Sequence, residues 1–250
     1  GFLARPNGLC PSRQHDMKRN YFLHPNLYDW DFIVHLHRRN DLHCLIKKLS
    51  SLSNYQDLEV LDYGGGSGQY RPSFNELGIR YLSADISGKP DIRIGPNGNI
   101  DLPDGSVDIV LSLQVLEHIE NVPAYLAEAA RILKPKGKIV IEVPFINPIH
   151  AAPDDFFRFT PDGLKKIIQD QELIIERIFF VEDYNWAIKW ILWQNLKEND
   201  KFGFKYLVKM AFLKYIINPI LFRREIPSET NFSSFGIIAI KDSTYSYSIC

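Results

Sequence analysis

The chain of 250 residues has the length of one large domain, or of one domain with an appendage. Apolar residues make up 45% and charged residues 24%, and the formal net charge of -1 gives no reason to expect a nucleic-acid partner. The sequence contains no apolar run of the ~18 residues that a transmembrane helix needs. Cys10, Cys44 and Cys250 form no paired motif, which favours reduced thiols in a cytoplasmic protein over a structural zinc site.

The predicted elements alternate between helices and strands. Apolar side chains at helical spacing predict a covering helix within residues 27–52. Predicted strands follow at Val60–Tyr63, Arg80–Asp85, Val107–Ser112, Lys138–Val143, Leu173–Val181 and Gly236–Ile240. A helical pattern over Pro123–Leu133 runs into a turn signal at residues 134–137, and Thr160 before a proline predicts a helix N-cap. This alternation predicts an α/β fold with a mostly parallel sheet.

We divide the chain into four segments of a single domain. Residues 1–54 are an N-terminal extension with covering helices, and residues 55–183 are the core. Residues 184–225 are an aromatic and basic helical insertion, and residues 226–250 contain the closing strand and the tail. In the insertion three tryptophans recur at helical spacing, and residues 184–224 hold eight basic side chains against two acidic ones. Contact with a membrane interface, a lid over a pocket and a homodimer contact all remain open for this segment.

The most informative stretch is an apolar strand that runs into Asp62 and a glycine-rich turn. Gly64, Gly66 and Gly68 allow the backbone to adopt positive φ angles and to approach a ligand closely. Such a turn at the end of a strand is a usual place for a nucleotide-like cofactor. Asp62 and Gln69 depart from the dinucleotide fingerprint, which disfavours a nicotinamide-dependent oxidoreductase. A carboxylate at the strand tip suits a cationic ligand such as S-adenosylmethionine.

Five short motifs occur in the order found in one enzyme family. They occupy residues 60–68, 83–87, 101–108, 111–118 and 131–137. Together they resemble the motifs of class I S-adenosylmethionine-dependent methyltransferases, and the resemblance covers about residues 55–143. It implies a Rossmann-like, mostly parallel seven-stranded sheet with helices on both faces and a helical insertion before the last strand. It also implies S-adenosyl-L-methionine as the cofactor.

The resemblance assigns cofactor contacts along these motifs. Asp85 lies 23 residues beyond Asp62, close to the spacing at which an acidic side chain meets a ribose diol. Asn99 or Ile100 is expected to meet the adenine, with Asp101 as the alternative. The predicted cofactor-binding residues are Asp62, Tyr63, Gly64, Gly66, Gly68, Asp85, Ile86, Asn99, Ile100, Leu113 and Gln114.

Candidate bases for methyl transfer lie after the fourth and fifth predicted strands. His118, His150 and Asp155 are predicted to be catalytic, and Asp154 also lies in this region. The loop after the fifth strand resembles one in a subgroup associated with surface polysaccharide and glycan modification. Asp154 replaces the histidine that is usual in that subgroup. A simpler role for Arg158 is an ion pair with Asp154 or Asp155.

No metal ion is expected. Some relatives bind a divalent ion through Glu-x-x-Glu-His after the fourth strand and a later histidine. Here Gln114 replaces the first acid of that motif, and an amide offers no charge to a hard cation. His35 and His37 fall on different faces of a predicted helix and are expected to be surface residues.

These motifs imply an S-adenosylmethionine-dependent methyltransferase. Its expected acceptor is a small molecule, a glycan or a lipid-linked sugar, methylated at oxygen or nitrogen. The alternative is a catalytically inactive protein that keeps the fold and serves as a binding partner or scaffold. The expected location is the cytoplasm, with the inner face of the membrane as an alternative if residues 184–224 bind lipid.

Overall fold

The computed structural model describes residues 57–150, 154–171, 173–182, 184, 187–188, 191, 229–230 and 232–242. The predicted helix within residues 27–52 lies outside the described residues, as do His35, His37 and most of the predicted insertion. The four predicted segments are therefore not tested. Among the described residues, no helix has both the length and the apolar character needed to cross a membrane.

The described residues form strands, helices and a 3₁₀ turn. In chain order they are β1 (Glu59–Tyr63), α1 (Arg71–Asn75), β2 (Arg80–Asp85), β3 (Ile92–Arg93), β4 (Val107–Leu113), a 3₁₀ turn (Leu116–His118), α2 (Val122–Ile132), β5 (Leu133–Pro144), α3 (Pro161–Gln169), β6 (Leu173–Glu182) and β7 (Ser234–Lys241). The predicted strands differ from β1, β2, β4, β6 and β7 by no more than two residues at either end. The two-residue β3 was not predicted, because so short a strand has no periodicity to detect.

The chain divides into two compact units, residues 1–58 with 69–81 and residues 59–68 with 82–250. In the first unit, α1 carries a proline in its first turn and buries Phe74. The Phe74 ring packs against Tyr81 with the ring centroids 5.0 Å apart. Arg71 lies over the same tyrosine ring and donates a hydrogen bond of 3.1 Å to its main-chain carbonyl. These contacts fasten α1 to the start of β2.

The strands form one seven-stranded sheet in the order β3-β2-β1-β4-β5-β7-β6. The pairs β2–β3, β1–β4 and β4–β5 are parallel, whereas β7 runs antiparallel to both β5 and β6. The predicted mostly parallel, seven-stranded Rossmann-like sheet is confirmed. Because parallel strands point the same way, the carboxyl ends of β1, β2, β4 and β5 lie at one edge, where ligands of such sheets bind.

The core of the second unit is built on the central strands. β1, β4 and the second half of β5 read as largely apolar runs, as expected for parallel strands covered on both faces. In α2 the apolar face buries Leu126, Ala129 and Ile132. Burial of such side chains contributes roughly 25 cal/mol per Å² of apolar surface, which anchors the sheet whose edge carries the polar loops.

Two helices begin at side-chain caps. Asn121 accepts a hydrogen bond from the Ala124 N–H at 3.1 Å at the start of α2. Thr160 accepts one from the Gly163 N–H at 3.1 Å at the start of α3, so the predicted N-cap is confirmed. Each cap satisfies a backbone N–H that the first helical turn leaves without a carbonyl partner.

The predicted turn before β5 lies inside the strand rather than before it. β5 begins at Leu133, directly after α2, and Lys136 has a φ of 65°. Val107 of β4 pairs with Leu133 of β5, whereas Ile109, two residues later, pairs with Lys138. The extra residues of β5 between these two pairs form a bulge that contains the turn. The prediction placed the strand start at Lys138, where the bulge ends and regular pairing resumes.

Candidate functional site

The glycine-rich turn after β1 has the predicted backbone. Gly64, Gly66 and Gly68 have φ angles of 91°, 56° and 81°, a region that side chains with a Cβ rarely adopt. A Cβ on Gly64 would lie 2.6 Å from both methyl carbons of Val115, so the turn packs tightly on that side. A Cβ on Gly66 would meet no atom within 4 Å. The turn is therefore closed at Gly64 and open at Gly66, which leaves room for a ligand to approach the backbone there.

Asp62 is buried under this turn. Its side chain is 1% exposed, and the Gly65 N–H donates a hydrogen bond of 3.3 Å to its main-chain carbonyl. A Cβ on Gly65 would overlap the Asp62 carboxyl group, so a glycine is required above the acid. The structure thus places Asp62 where it supports the turn from below.

Asp85 ties the end of β2 to the same turn. Its Oδ2 accepts a hydrogen bond from the Gly66 N–H at 2.8 Å. Its Oδ1 accepts hydrogen bonds from the Ser87 N–H at 2.7 Å and the Ser87 hydroxyl at 3.0 Å. Oδ2 keeps a further lone pair that can accept from a ribose hydroxyl. The next side chain, Ile86, is apolar and 62% exposed, as a residue that covers one face of a flat ring would be.

Tyr63 points into the core. Its ring stacks on Tyr125 with the centroids 3.9 Å apart, and its hydroxyl donates to the Gly98 carbonyl at 2.7 Å. The Tyr125 hydroxyl donates to the Tyr63 carbonyl at 2.8 Å and lies 2.9 Å from the Ser112 hydroxyl. Burial raises the pKa of the Tyr63 phenol well above its usual value, so the hydroxyl stays protonated as a donor. Tyr63 therefore braces the loops at this edge of the sheet.

An ion pair on α2 holds the loop that follows β3. Arg131 donates to the carbonyls of Ile100 and Leu102 at 3.0 and 2.9 Å and to the Asp104 carboxylate at 2.6 Å. Arg131 also donates hydrogen bonds to both carboxylate oxygens of Glu128. Glu128 Oε1 in turn accepts a hydrogen bond from the Ile100 N–H at 2.7 Å. This hydrogen bonding raises the pKa of Arg131 and lowers that of Glu128, which keeps both groups charged.

The three residues predicted to meet the adenine differ in how accessible they are to a ligand. The side chain of Ile100 is buried and its N–H already donates to Glu128, so neither is directed to a ligand. The side chains of Asn99 and Asp101 are exposed at the same loop. Of the candidates, these two have polar atoms that a ring could reach.

Gln114 sits at the carboxyl end of β4 with a φ of 58°, in the left-handed region. Its N–H donates to the Glu142 carbonyl at 2.8 Å, and its Nε2 donates to the Glu142 carboxylate at 3.0 Å. Glu142 is buried, whereas Leu113 is half-buried. Sequence reasoning missed Glu142, although an acid inside an apolar strand was a signal that could have identified it.

The structure brings the two predicted histidines together. The rings of His118 and His150 meet edge to face with their centroids 5.0 Å apart. His118 Nδ1 lies 2.5 Å from the Asp154 carbonyl, and His150 Nδ1 lies 3.1 Å from the Pro148 carbonyl. A carbonyl can only accept, so each Nδ1 carries the proton and donates. In the neutral imidazole, Nε2 of each ring then has the lone pair that can take a proton or bind a metal.

Asp155, the third predicted catalytic residue, is held in an ion pair. Arg158 donates to Asp155 Oδ1 at 2.5 Å and to Oδ2 at 2.7 Å, which confirms that Arg158 pairs with one of the two predicted acids. Hydrogen bonding from Arg158 lowers the pKa of Asp155 to about 2. A carboxylate with so low a pKa is a poor acceptor for a substrate proton.

Glu117 joins the two histidines. His118 Nε2 lies 3.7 Å from Glu117 Oε1, and one donor atom from each of Glu117, His118 and His150 falls within 4.8 Å of the others. Two imidazoles and one carboxylate are a donor set that suits zinc better than magnesium. Gln114 directs its amide nitrogen to Glu142, and an amide nitrogen cannot ligate a cation. The expectation that no metal is bound remains a prediction.

Large apolar side chains lie exposed beside the histidines. Ile149, next to His150, is 89% exposed. Phe156 and Phe157 are partly exposed, and their main-chain N–H groups donate to the Glu117 carbonyl at 2.7 and 3.2 Å. The histidine pair is thus bordered by apolar surface that an acceptor could cover.

A mostly parallel sheet closed by an antiparallel strand, with a glycine-rich turn after β1 and an acid at the end of β2, is typical of S-adenosylmethionine-dependent methyltransferases. The chain belongs to the methyltransferase domain family, because a family model described as a methyltransferase domain matches residues 34–191, more than half of the chain. The predicted resemblance to that class is confirmed. The glycan-associated subgroup remains a prediction.

Curated proteins similar to this chain include methyltransferases whose names refer to menaquinone or to ubiquinone biosynthesis. A demethylmenaquinone methyltransferase of Tropheryma whipplei is 31% identical over 97 residues, which cover 33% of this chain and 40% of that protein. A ubiquinone biosynthesis O-methyltransferase of a Bradyrhizobium species is 27% identical over 185 residues, which cover 61% and 73% of the two chains. The match with the first of these relatives therefore spans less than half of its length.

Solved structures share the fold at low sequence identity. The [4+2]-cyclase SpnF superposes with a TM-score of 0.55 at 15% identity, covering 84% of this chain and 82% of that one. A methyltransferase described in complex with the Trm112 activator of Haloferax volcanii gives a TM-score of 0.53 at 16% identity, covering 86% and 98%. One neighbour is described as a cyclase and the other as a methyltransferase, so this likeness shows the fold and does not decide the reaction.

Proposed function

We propose that this protein transfers a methyl group from S-adenosylmethionine to an oxygen or nitrogen atom of a small-molecule, glycan or lipid-linked sugar acceptor. The proposal rests on one observation above all. His118 and His150 lie in contact after β4 and β5, at the edge of the sheet that also carries the glycine-rich turn and Asp85. Family membership and the open backbone at Gly66 support the same reading.

The cofactor site is built from the loops after β1, β2 and β3. Asp85 would accept a hydrogen bond from the ribose through Oδ2, and Ile86 would cover the adenine, with Asn99 or Asp101 at its polar edge. Gly66 allows a close approach of the backbone because no side chain fills the space above it. When bound, S-adenosylmethionine supplies an electrophilic methyl group. Asp62 acts from beneath by holding the turn in this shape.

A histidine would remove the proton of the acceptor. The carbonyl groups that fix Nδ1 of His118 and His150 leave Nε2 of each ring as the basic atom. General base catalysis by a positioned histidine contributes typically 10²- to 10⁴-fold to a rate. We assign this role to His150, because it is the more exposed of the two and the more accessible to an acceptor. An acceptor hydroxyl would gain most, since an oxygen nucleophile is strengthened by loss of its proton.

We further propose that the acceptor has an apolar portion beside its reacting group. The exposed side chains of Ile149, Phe156 and Phe157 flank His150 and would lose contact with water under such a portion. A relative named as a ubiquinone biosynthesis O-methyltransferase supports methylation at oxygen. A small molecule, a glycan and a lipid-linked sugar all remain within this proposal.

The cellular setting follows from composition and from residues 184–224. The widely spaced cysteines support a cytoplasmic protein, and nothing in the charge supports a nucleic-acid partner. We propose that the basic and aromatic segment forms a lid over the acceptor pocket, contacts a second copy of the chain or contacts a membrane surface. Flotation with anionic liposomes tests the membrane contact. Recovery of the wild type with the liposomes and of a Trp190→Ala/Trp193→Ala variant without them supports membrane contact, and equal recovery removes it.

The reaction is tested with methyl-labelled S-adenosylmethionine and fractionated small molecules, lipids and glycans. Label should appear in an acceptor fraction with the wild type, and its rate of appearance should fall at least about tenfold with His150→Gln. An inactive scaffold would show no transfer to any fraction, whether or not it binds the cofactor. His43→Gln serves as a control for the substitution itself, because that histidine has no place in the proposed reaction.

A further inference from the structure

Asp155 and Arg158 form a partly buried ion pair after β5. The side chain of Asp155 is 2% exposed, and both of its oxygens accept from the guanidinium group of Arg158. Arg158 also donates to the main-chain carbonyls of Asn147 and Pro148, at 3.3 and 3.0 Å. The pair therefore ties the chain around residue 148 to the chain around residue 155. An Arg–carboxylate pair with two parallel hydrogen bonds is a geometrically specific contact.

Both ends of this connection reach His150. Asp155 Oδ2 accepts the His150 main-chain N–H at 2.9 Å and lies 3.5 Å from its Nδ1. The Pro148 carbonyl, which Arg158 holds, is 3.1 Å from the same Nδ1. Two oxygens thus face the Nδ1 side of the ring, and both are held in place by Arg158. The Nε2 side of the ring receives neither contact.

Residues next to Asp155 hold His118 in the same tautomer, with the proton on Nδ1. The Asp154 carbonyl accepts from His118 Nδ1, and the N–H groups of Phe156 and Phe157 donate to the Glu117 carbonyl. The segment 154–158 therefore docks onto the 3₁₀ turn that carries His118. Other charged groups around His150 are few among the described residues: Glu117 lies in its donor cluster, and Asp155 lies beside its ring.

We infer that Asp155 and Arg158 are positioning residues that hold His150 as the Nδ1-protonated tautomer, so that Nε2 is the atom offered to the acceptor. The part of this inference that concerns the acceptor rests on the proposed function. The part that concerns the tautomer does not, because it concerns the resting protein alone. Asp155 thereby acts through His150 and exchanges no proton with the acceptor.

The tautomer is measured by long-range ¹H–¹⁵N correlation NMR on the full chain with ¹⁵N-labelled histidine, at a pH where the ring is neutral. EDTA in the sample removes adventitious metal, and the His150→Gln variant identifies the signals. Wild-type His150 should show a protonated Nδ1 and a free Nε2. In Asp155→Asn and in Arg158→Ala the population should shift toward the Nε2-protonated form, because the contacts that select Nδ1–H are weakened.

A matched control uses an ion pair with the same spacing on α3. Lys165 and Asp162 are three residues apart with their charged atoms at 2.9 Å, and Asp162→Asn changes the same groups without touching a histidine. This variant should leave the His150 spectrum unchanged. The Arg158→Lys variant keeps one charge but cannot make two parallel hydrogen bonds, and it provides a milder test if Arg158→Ala does not fold.

The outcomes separate the inference from the proposed function. A shifted tautomer with a methyl-transfer kcat at least about tenfold lower and an unchanged KM for S-adenosylmethionine supports both. A shifted tautomer with unchanged kcat supports the positioning role but removes His150 as the base. An unshifted tautomer in folded Asp155→Asn and Arg158→Lys variants overturns the inference and leaves the pair as a structural ion pair only.

Discussion

Gly66 and Gly105 have similar backbone conformations, but only Gly66 lies in the proposed cofactor site. Their φ angles are 56° and 62°, and neither Cβ would come closer than 3.9 Å to another group. Alanine at either position should therefore lower stability by a similar amount, about 1–2 kcal/mol, through the left-handed backbone. Only Gly66 donates to Asp85 in the proposed cofactor site.

The paired substitutions give a clear prediction. Gly66→Ala should weaken S-adenosylmethionine binding at least about tenfold, because its methyl group enters the space above the turn. Gly105→Ala should bind the cofactor as the wild type does. Calorimetric titration measures the affinity and thermal unfolding measures the stability. Equal affinities in the two variants would show that the space above Gly66 is not the binding space.

Asp155 predicts a loss of stability in acid. Its pKa of about 2 in the folded protein lies below its ordinary value of 3.8, so folding favours the ionised form. The resulting stabilisation, about 2 kcal/mol, is complete above pH 4 and is lost as the pH falls toward 2. Urea unfolding at pH 7 and pH 3 should show a smaller pH-dependent loss for Asp155→Asn than for the wild type. A loss of the same size in both would contradict the low pKa.

Glu117, His118 and His150 could act as a general base or bind a metal ion, and removal of metal distinguishes the two roles. If His150 is the base, treatment with EDTA followed by desalting should leave methyl transfer unchanged, and elemental analysis should find less than about 0.1 metal ion per chain. Loss of activity that added Zn²⁺ restores would assign these side chains to a metal centre instead. Mg²⁺ in place of Zn²⁺ is the control for a nonspecific effect of divalent ions.

At the scale of elements, Arg131 connects α2 to the loop after β3. Replacing Arg131 with Met should free the carbonyls of Ile100 and Leu102 and weaken the hold of Glu128 on the loop. Amide hydrogen exchange over residues 100–104 should accelerate at least about tenfold. Lys165→Met, which breaks an exposed ion pair on α3, should leave that loop unchanged. Unchanged exchange in the Arg131 variant would show that other contacts hold the loop.

The strands could be predicted because their apolar runs are bounded by glycine, proline and charged residues. The first and last residues of β1, β2 and β4 follow directly from that pattern. The start of β5 could not be predicted so well, because the bulge with Lys136 at positive φ looks in sequence like an ordinary turn. Turn residues reveal that the chain bends but not whether the strand continues on both sides.

The site was predictable where its chemistry is local in sequence. The glycine-rich turn and the cap at Thr160 depend on residues within a few positions of one another. The packing of Tyr63 on Tyr125 and the pairing of Gln114 with Glu142 join residues far apart in the chain. Such pairs arise only when the strands and α2 have packed together, so a single sequence does not contain them as a pattern.

At the scale of the molecule, the fold alone does not decide the reaction. One structural neighbour is described as a cyclase, and relatives with quinone-methylation names match only parts of this chain at about 30% identity or below. A methyltransferase on this fold requires a cofactor site that binds S-adenosylmethionine. Every proposal made for the acceptor side depends on that site being functional.

Calorimetric titration of the full chain with S-adenosylmethionine tests this requirement directly. The wild type should bind one equivalent, and Asp85→Ala should bind at least about tenfold more weakly while keeping its thermal midpoint within a few degrees. Asp162→Ala, which removes an exposed acid on α3, is the control and should bind the cofactor as the wild type does. Asp91→Ala is less suitable, because Asp91 accepts hydrogen bonds from Ser83 of β2. Absence of binding in the wild type, or equal affinity in Asp85→Ala, would contradict the account.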